Sequence, residues 1–112
     1  GLVLAEAMYL GKPVVATGWS GNMDFMNATN SCPVKYELVT LDRDYPPYRA
    51  GQQWADPDID HAAYCLQRVA GDAAWRKELS ERARDTIRNQ FSPAAAGQRY
   101  RRRLAALGLA EP

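Results

Sequence analysis

The chain is poor in the residues that usually advertise metal or redox chemistry. Its 112 residues hold one histidine and two cysteines. Cys32 and Cys65 stand far apart with no Cys-x-x-Cys pair, so neither a disulfide framework nor a metal site is indicated, and a reducing, cytoplasmic setting is the default. An excess of charge is also lacking: 14 Lys and Arg against 13 Asp and Glu leave a net charge of +1, which argues against nucleic acid as the main partner. No apolar run is long enough to span a bilayer, and no basic-plus-apolar leader opens the chain. What remains is a sequence 46% hydrophobic, the composition of a globular unit of at most one domain with a modest core.

The most informative stretch is the first seventeen residues. Gly1-Leu2-Val3-Leu4-Ala5-Glu6-Ala7-Met8 runs through Gly11-Lys12-Pro13 into Val14-Val15-Ala16-Thr17. The opening reads as a helix, in which Leu2, Val3, Tyr9 and Leu10 are the surface neighbours of Glu6. A carboxylate among apolar side chains needs a partner, because desolvating it alone costs several kcal/mol. Two partners are open: a structural donor from the protein, or a ligand. Helical side chains lean toward the N-terminus, so Glu6 reaches back to the first turn, whose free N–H groups favour an anion such as phosphate. Gly1 would let a ligand approach the backbone closely. Phosphate at the turn and a vicinal diol on the acid describe a nucleotide with its ribose, or a sugar phosphate.

Gly-Leu-x-Leu-x-Glu-Ala-Met followed by Gly-Lys-Pro-Val-Val-Ala-Thr resembles the C-terminal nucleotide-sugar-binding domain of GT-B retaining glycosyltransferases of the glycosyltransferase family 4 type. In that family two glutamates separated by seven residues flank such a segment, and Glu6 falls on the second. The first would lie three residues before Gly1, which leaves the catalytic residues unknown. The resemblance implies that Glu6 hydrogen-bonds the donor's ribose, and that the amides around Gly1, Leu2 and Val3 lie near its diphosphate. It also implies that residues 1–112 are the C-terminal portion of the donor domain, a fragment inactive alone whose partner is an N-terminal acceptor domain.

Further along, Pro13 to Thr17 reads as a strand covered on both faces in a parallel sheet. Gly18-Trp19-Ser20-Gly21-Asn22 reads as a turn into a short helix over residues 23–26, with Ser20 and Asn22 serving either the turn or the donor. A second strand is expected around residues 33–36. Residues 37–55 then read as a long polar and aromatic connection whose Tyr45, Tyr48 and Trp54 either stack on a sugar or another domain, or pin the loop. Asn27-Ala28-Thr29 matches a glycosylation acceptor pattern, of little meaning in a cytoplasmic chain.

Three capped helices should follow. In the first, Asp56 caps, Pro57 takes the first helical position, Ile59, Ala62, Ala63, Leu66 and Val69 form the buried stripe, and His61 faces solvent. The second, the longest, is capped by Asp72 and buries Trp75, Leu79, Ala83 and Ile87. The third opens at Ser92-Pro93, turns Ala96, Tyr100, Leu104 and Leu107 inward, and stops at Gly108. Arg99, Arg101, Arg102 and Arg103 form the one basic cluster, either a solvated face or a contact for anionic lipid or another domain.

The expectation is an α/β, partial Rossmann-like unit with two short parallel strands and four or five packing helices. Its function would be to supply part of the donor site for sugar transfer from a nucleotide-diphosphate sugar to a glycan, lipid or protein hydroxyl with retention. It needs no further cofactor and no metal, in a cytoplasmic protein that is peripheral to the membrane at most. The alternatives are a non-catalytic helical interaction module, or another GT-B enzyme such as a nucleotide-sugar epimerase.

Overall fold

The computed structural model describes residues 1–109 and 111. Helix α1 (Leu2–Tyr9) leads to strand β1 (Val15–Thr17), a 3-10 helix (Ser20–Asp24), β2 (Cys32–Val34), β3 (Tyr36–Thr40), β4 (Gln53–Pro57), α2 (Ile59–Gly71), α3 (Ala73–Gln90) and α4 (Pro93–Ala106). The α/β class is therefore present, with one parallel strand pair and one antiparallel pair among the described residues. In the parallel pair Val15 faces Cys32 and Thr17 faces Val34.

Leu, Ala, Glu and Met are good helix formers, and α1 is made almost wholly of them. Its end is set by Gly11 at φ +69°, a left-handed position that only glycine takes cheaply. Gly11 N–H donates to Met8 O at 2.9 Å and Lys12 N–H to Ala7 O at 2.9 Å, closing the last turn in a Schellman motif before Pro13. The turn aims the chain into β1, which starts two residues later than the sequence implies. Val14 is buried just before it, and Val14 O accepts from Cys32 N–H at 2.9 Å.

The core lies between α1 and α3, where Met8, Val14, Met26, Ala83 and Ile87 bury one another, with Leu4, Ala7 and Phe25 packed on their flank. On α3, Leu79, Ala83 and Ile87 recur every fourth residue and are all buried, whereas Trp75 is only half-buried and carries the Arg68 guanidinium 4.0 Å above its ring. Asp72 caps this helix by accepting from Trp75 N–H at 2.9 Å. Arg76 closes the end of α2, donating to Val69 O at 2.7 Å and Ala70 O at 3.0 Å. Expected and observed agree for α3 because its cap and stripe are both local signals.

Five expectations are corrected. The described residues hold four strands instead of two, since residues 37–55 are not one irregular connection: β3 and β4 pair antiparallel, from Tyr36 with Pro57 to Thr40 with Gln53. Asp56 and Pro57 belong to β4, so the cap of α2 is Asp58, which accepts from His61 N–H at 2.8 Å. The face of α2 is rotated as well. Ile59 and Leu66 are 72% and 59% exposed, and Cys65 is the one fully buried residue of the helix. His61 does not face away from the protein, because its Nδ1 accepts from Lys35 N–H at 3.0 Å. Finally, α4 has the expected Ser92 cap and Gly108 stop, yet buries none of its described residues, and Tyr100, Leu104 and Leu107 lie at the surface.

The molecule is a slab, 51 × 44 × 18 Å, with a radius of gyration of 17.6 Å. A compact chain of this length would have about 13 Å. Its accessible surface of 8035 Å² likewise exceeds the roughly 6,200 Å² expected for this size. Two small two-stranded sheets cannot cover three amphipathic helices, which is why the outer stripes of α2 and α4 stay bare.

Candidate functional site

The start of α1 forms one wall of a cavity of about 460 Å³, closed on the other side by Phe25 and the C-terminal end of α3. Gly1, Leu2 and Glu6 line it together with Tyr9 and Phe91. Three of the four residues expected to hold a donor are thus brought together, whereas Val3 is 76% exposed and stands outside the lining. No side chain caps α1, so its first amides are free for a ligand. A Cβ on Gly1 would meet the Phe25 ring at 3.9 Å, an ordinary contact. The fold itself therefore makes no demand for glycine at this position.

The premise that Glu6 sits buried in an apolar helix needs correcting. Glu6 is exposed, and so are Leu2, Val3, Tyr9 and Leu10, because α3 covers only the opposite side of α1. Glu6 takes no part in the ion pairs of the described residues, which join Lys77 to Glu81 and Arg82 to Glu78. No structural donor has claimed it. Two cations stack on aromatic residues of the cavity's lining: the Arg88 guanidinium lies 4.8 Å from the Tyr9 ring centre, and that of Arg99 lies 5.2 Å from the Phe91 ring centre. Phe91 packs edge-on against Phe25 at 6.0 Å, which fixes that wall. The result is an open, mostly apolar cavity with one carboxylate and the first amides of α1, two of its aromatic lining residues being stacked by guanidiniums.

Outside this cavity, Asn22 is held structurally. Its Nδ2 donates to Thr17 O at 2.9 Å and lies 3.3 Å from Met26 Sδ. Asn27 Oδ1 accepts from both Thr29 N–H and Thr29 Oγ1, so the glycosylation-like triplet forms a local turn. Arg101, Arg102 and Arg103 lie on exposed α4. Among the described residues no helix is long and apolar enough to cross a membrane, and no three His, Cys, Asp or Glu side chains are grouped to hold a metal ion.

One constellation escaped the sequence. Cys32 on β2 and Cys65 on α2 are free thiols brought side by side, and Cys65 Sγ lies 3.9 and 4.0 Å from the ring nitrogens of His61. Thirty-three positions separate the cysteines, and only the packing of α2 on the parallel pair joins them. The i, i+4 spacing of His61 and Cys65 was the one available signal. Burial pushes the Cys32 thiol up from 9.0 to about 12, reinforced by its hydrogen bond to Cys65 and by the negative charge Cys65 can carry, against the pull of Arg68. Folded Cys32 keeps its proton where the unfolded chain loses it. Stability from this group is therefore complete below pH 9 and is lost as pH rises toward 12. Iodoacetamide at pH 8 should label Cys32 at least about a hundredfold more slowly in the native chain than in urea. Equal rates would place the thiol in an ordinary exposed setting.

Compared with models of known families, with curated proteins and with solved structures, the chain matches none.

Proposed function

We propose that this chain supplies part of the donor site of a retaining glycosyltransferase of the GT-B type, gripping the nucleotide diphosphate of an activated sugar. The observation that carries this reading is the shared cavity of Gly1, Leu2 and Glu6, two of whose aromatic lining residues, Tyr9 and Phe91, carry the guanidiniums of Arg88 and Arg99. In the reaction the bond between the sugar's anomeric carbon and the diphosphate breaks, and a new one forms to an acceptor hydroxyl. Negative charge grows on the departing diphosphate, and the uncapped amides at the start of α1 would stabilise it. Glu6 would accept from the ribose hydroxyls and fix the nucleotide's orientation, a positioning role. The sugar is met by residues before Gly1 in the family pattern. The reading thus includes a nucleotide-sugar donor, a glycan, lipid or protein acceptor, and a second domain of the same enzyme.

Nuclear magnetic resonance titration of the 112-residue chain with uridine and guanosine diphosphates tests the site. The amides of Leu2 and Val3 should shift with weak, saturable binding, and Glu6→Ala should weaken it by roughly tenfold, the worth of a charged hydrogen bond. A 2′,3′-dideoxy nucleotide should bind the native chain as weakly as the ribose form binds Glu6→Ala. Shifts confined to the arginines of α4, or an affinity indifferent to both changes, would remove the donor site from α1.

A further inference from the structure

A second cleft, of about 690 Å³, opens at the C-terminal end of β1, between the 3-10 helix and the β3–β4 hairpin. Its size is that of a small-molecule site, and ligands of parallel α/β sheets gather beyond the carboxyl ends of the strands. Thr17, Trp19, Ser20 and Asn22 line one side, and Tyr48, Gln53 and Trp54 the other. Two properties of this lining restrict what could fill it.

The first property is charge. No Lys, Arg, Asp, Glu or His lines the cleft, in contrast to the cavity at Glu6. A phosphate or carboxylate would lose its water there without a counter-charge. The second property is the pairing of flat aromatic faces with short hydrogen-bonding groups. Trp19 and Trp54 are 38% and 39% exposed, and both pack against neighbouring rings. Trp19 packs against Tyr36 with ring centres 5.4 Å apart, and Trp54 against Tyr45 at 5.2 Å and Tyr48 at 6.3 Å. The indoles are thus held in place before any ligand arrives, which limits the entropy lost on binding. Asn22, its Nδ2 committed to Thr17 O, keeps Oδ1 as an acceptor. Ser20 holds its hydroxyl on a backbone at φ +70°, an unfavourable conformation for a residue with a side chain.

We infer that this cleft binds a neutral pyranose ring of a free or glycosidic carbohydrate, its C–H face against the indoles of Trp19 and Trp54 and its hydroxyl edge toward Ser20, Asn22 and Gln53. A sugar ring is the amphipathic ligand that matches such a lining, with one apolar face and hydroxyls around its rim. The cleft would hold it whether or not Glu6 meets a nucleotide.

Tryptophan fluorescence of the chain in a Trp75→Phe background isolates the signal, since Trp75 on α3 is not part of the cleft. Titration with methyl glycosides of glucose, galactose, mannose and rhamnose should give a saturable change for at least one of them. Uridine and adenosine serve as flat aromatic controls. Trp54→Ala should weaken the responding glycoside roughly tenfold, and Gln53→Ala or Ser20→Gly roughly threefold to fivefold. Gly suits the backbone of Ser20 and Gln53 is exposed on β4, so these two variants still decide the matter should Trp54→Ala fail to fold. Glu6→Ala should leave glycoside binding unchanged, which separates this cleft from the donor cavity. No saturable change with any glycoside, a response preferring nucleosides, or affinity untouched by Gln53→Ala and Ser20→Gly would overturn the inference.

Discussion

Met8→Ala should lower the stability of the chain by about 2 to 5 kcal/mol, the range for truncating a fully enclosed large side chain when its surroundings cannot collapse into the gap. Met8 is 0% exposed and stands at the centre of the cluster that joins α1 to α3 through Val14, Met26, Ala83 and Ile87. Domains of this size are stable by roughly 5 to 15 kcal/mol, and few of the large apolar side chains here are enclosed. The urea midpoint should therefore fall steeply, with no great change in the slope of the transition. Leu10→Ala is the control: Leu10 is 66% exposed, and its truncation should cost less than about 0.5 kcal/mol. Equal losses for the two variants would mean that α1 is not anchored by its Met8 face.

Asn30→Ala should be nearly as damaging, at about 2 to 3 kcal/mol, through polar groups instead of packing. Asn30 is 1% exposed. Its Oδ1 accepts from Asn27 N–H at 2.8 Å, and its Nδ2 donates to Phe25 O at 2.9 Å and to Thr86 Oγ1 at 3.2 Å. One amide thus folds the loop after the 3-10 helix and ties it to α3, far away in sequence. Truncation leaves the Asn27 N–H and the Phe25 carbonyl half-buried without partners, and each orphan costs about 1 to 3 kcal/mol. Thr86→Val removes the long third bond together with the Thr86 Oγ1 donation to Arg82 O at 2.9 Å within α3, and should cost about 1 kcal/mol. Chemical denaturation of the two variants side by side checks the ranking, and a larger loss for Thr86→Val would reverse this account.

These two residues also mark the boundary of what the sequence discloses. Met8, Ala83 and Ile87 sit in helices whose ends are written locally, by Gly11, Asp72 and a four-residue apolar spacing, so helix and buried face could both be read. Asn30 carries no such mark, because its worth depends on Thr86 and on a loop that closes only in the folded chain. The hairpin was hidden for a related reason. Its strands are separated by a turn region containing Pro46-Pro47 and Gly51, with no tight two-residue turn to announce the pairing. Pro57 looked like the first residue of a helix and is instead the last of β4, opposite Tyr36. Misplacing it shifted the cap of α2 from Asp58 to Asp56.

The candidate site divides in the same way. Gly1, Leu2 and Glu6 are close in sequence and remain close in space, so the ordered motif was enough to nominate them. The carboxylate's exposure was not legible, since spacing describes a helix's own surface and not what will cover it. Arg88 and Arg99 are brought onto the rings of Tyr9 and Phe91 only by the packing of α1, α3 and α4. The thiol pair of Cys32 and Cys65, and the gathering of Trp19 and Trp54 at one cleft, likewise depend on packing between elements distant along the chain.

The 18 Å thickness of the slab bears on how the protein responds to temperature. The heat capacity gained on unfolding grows with the apolar area newly exposed to water. A plate this thin, with its outer helix stripes already wet, has little such area left to expose. Its free energy of unfolding therefore bends only gently with temperature, giving a low, broad stability curve. Melting is correspondingly gradual, and warming or cooling by some tens of degrees shifts the balance less than it would in a rounder protein of the same length.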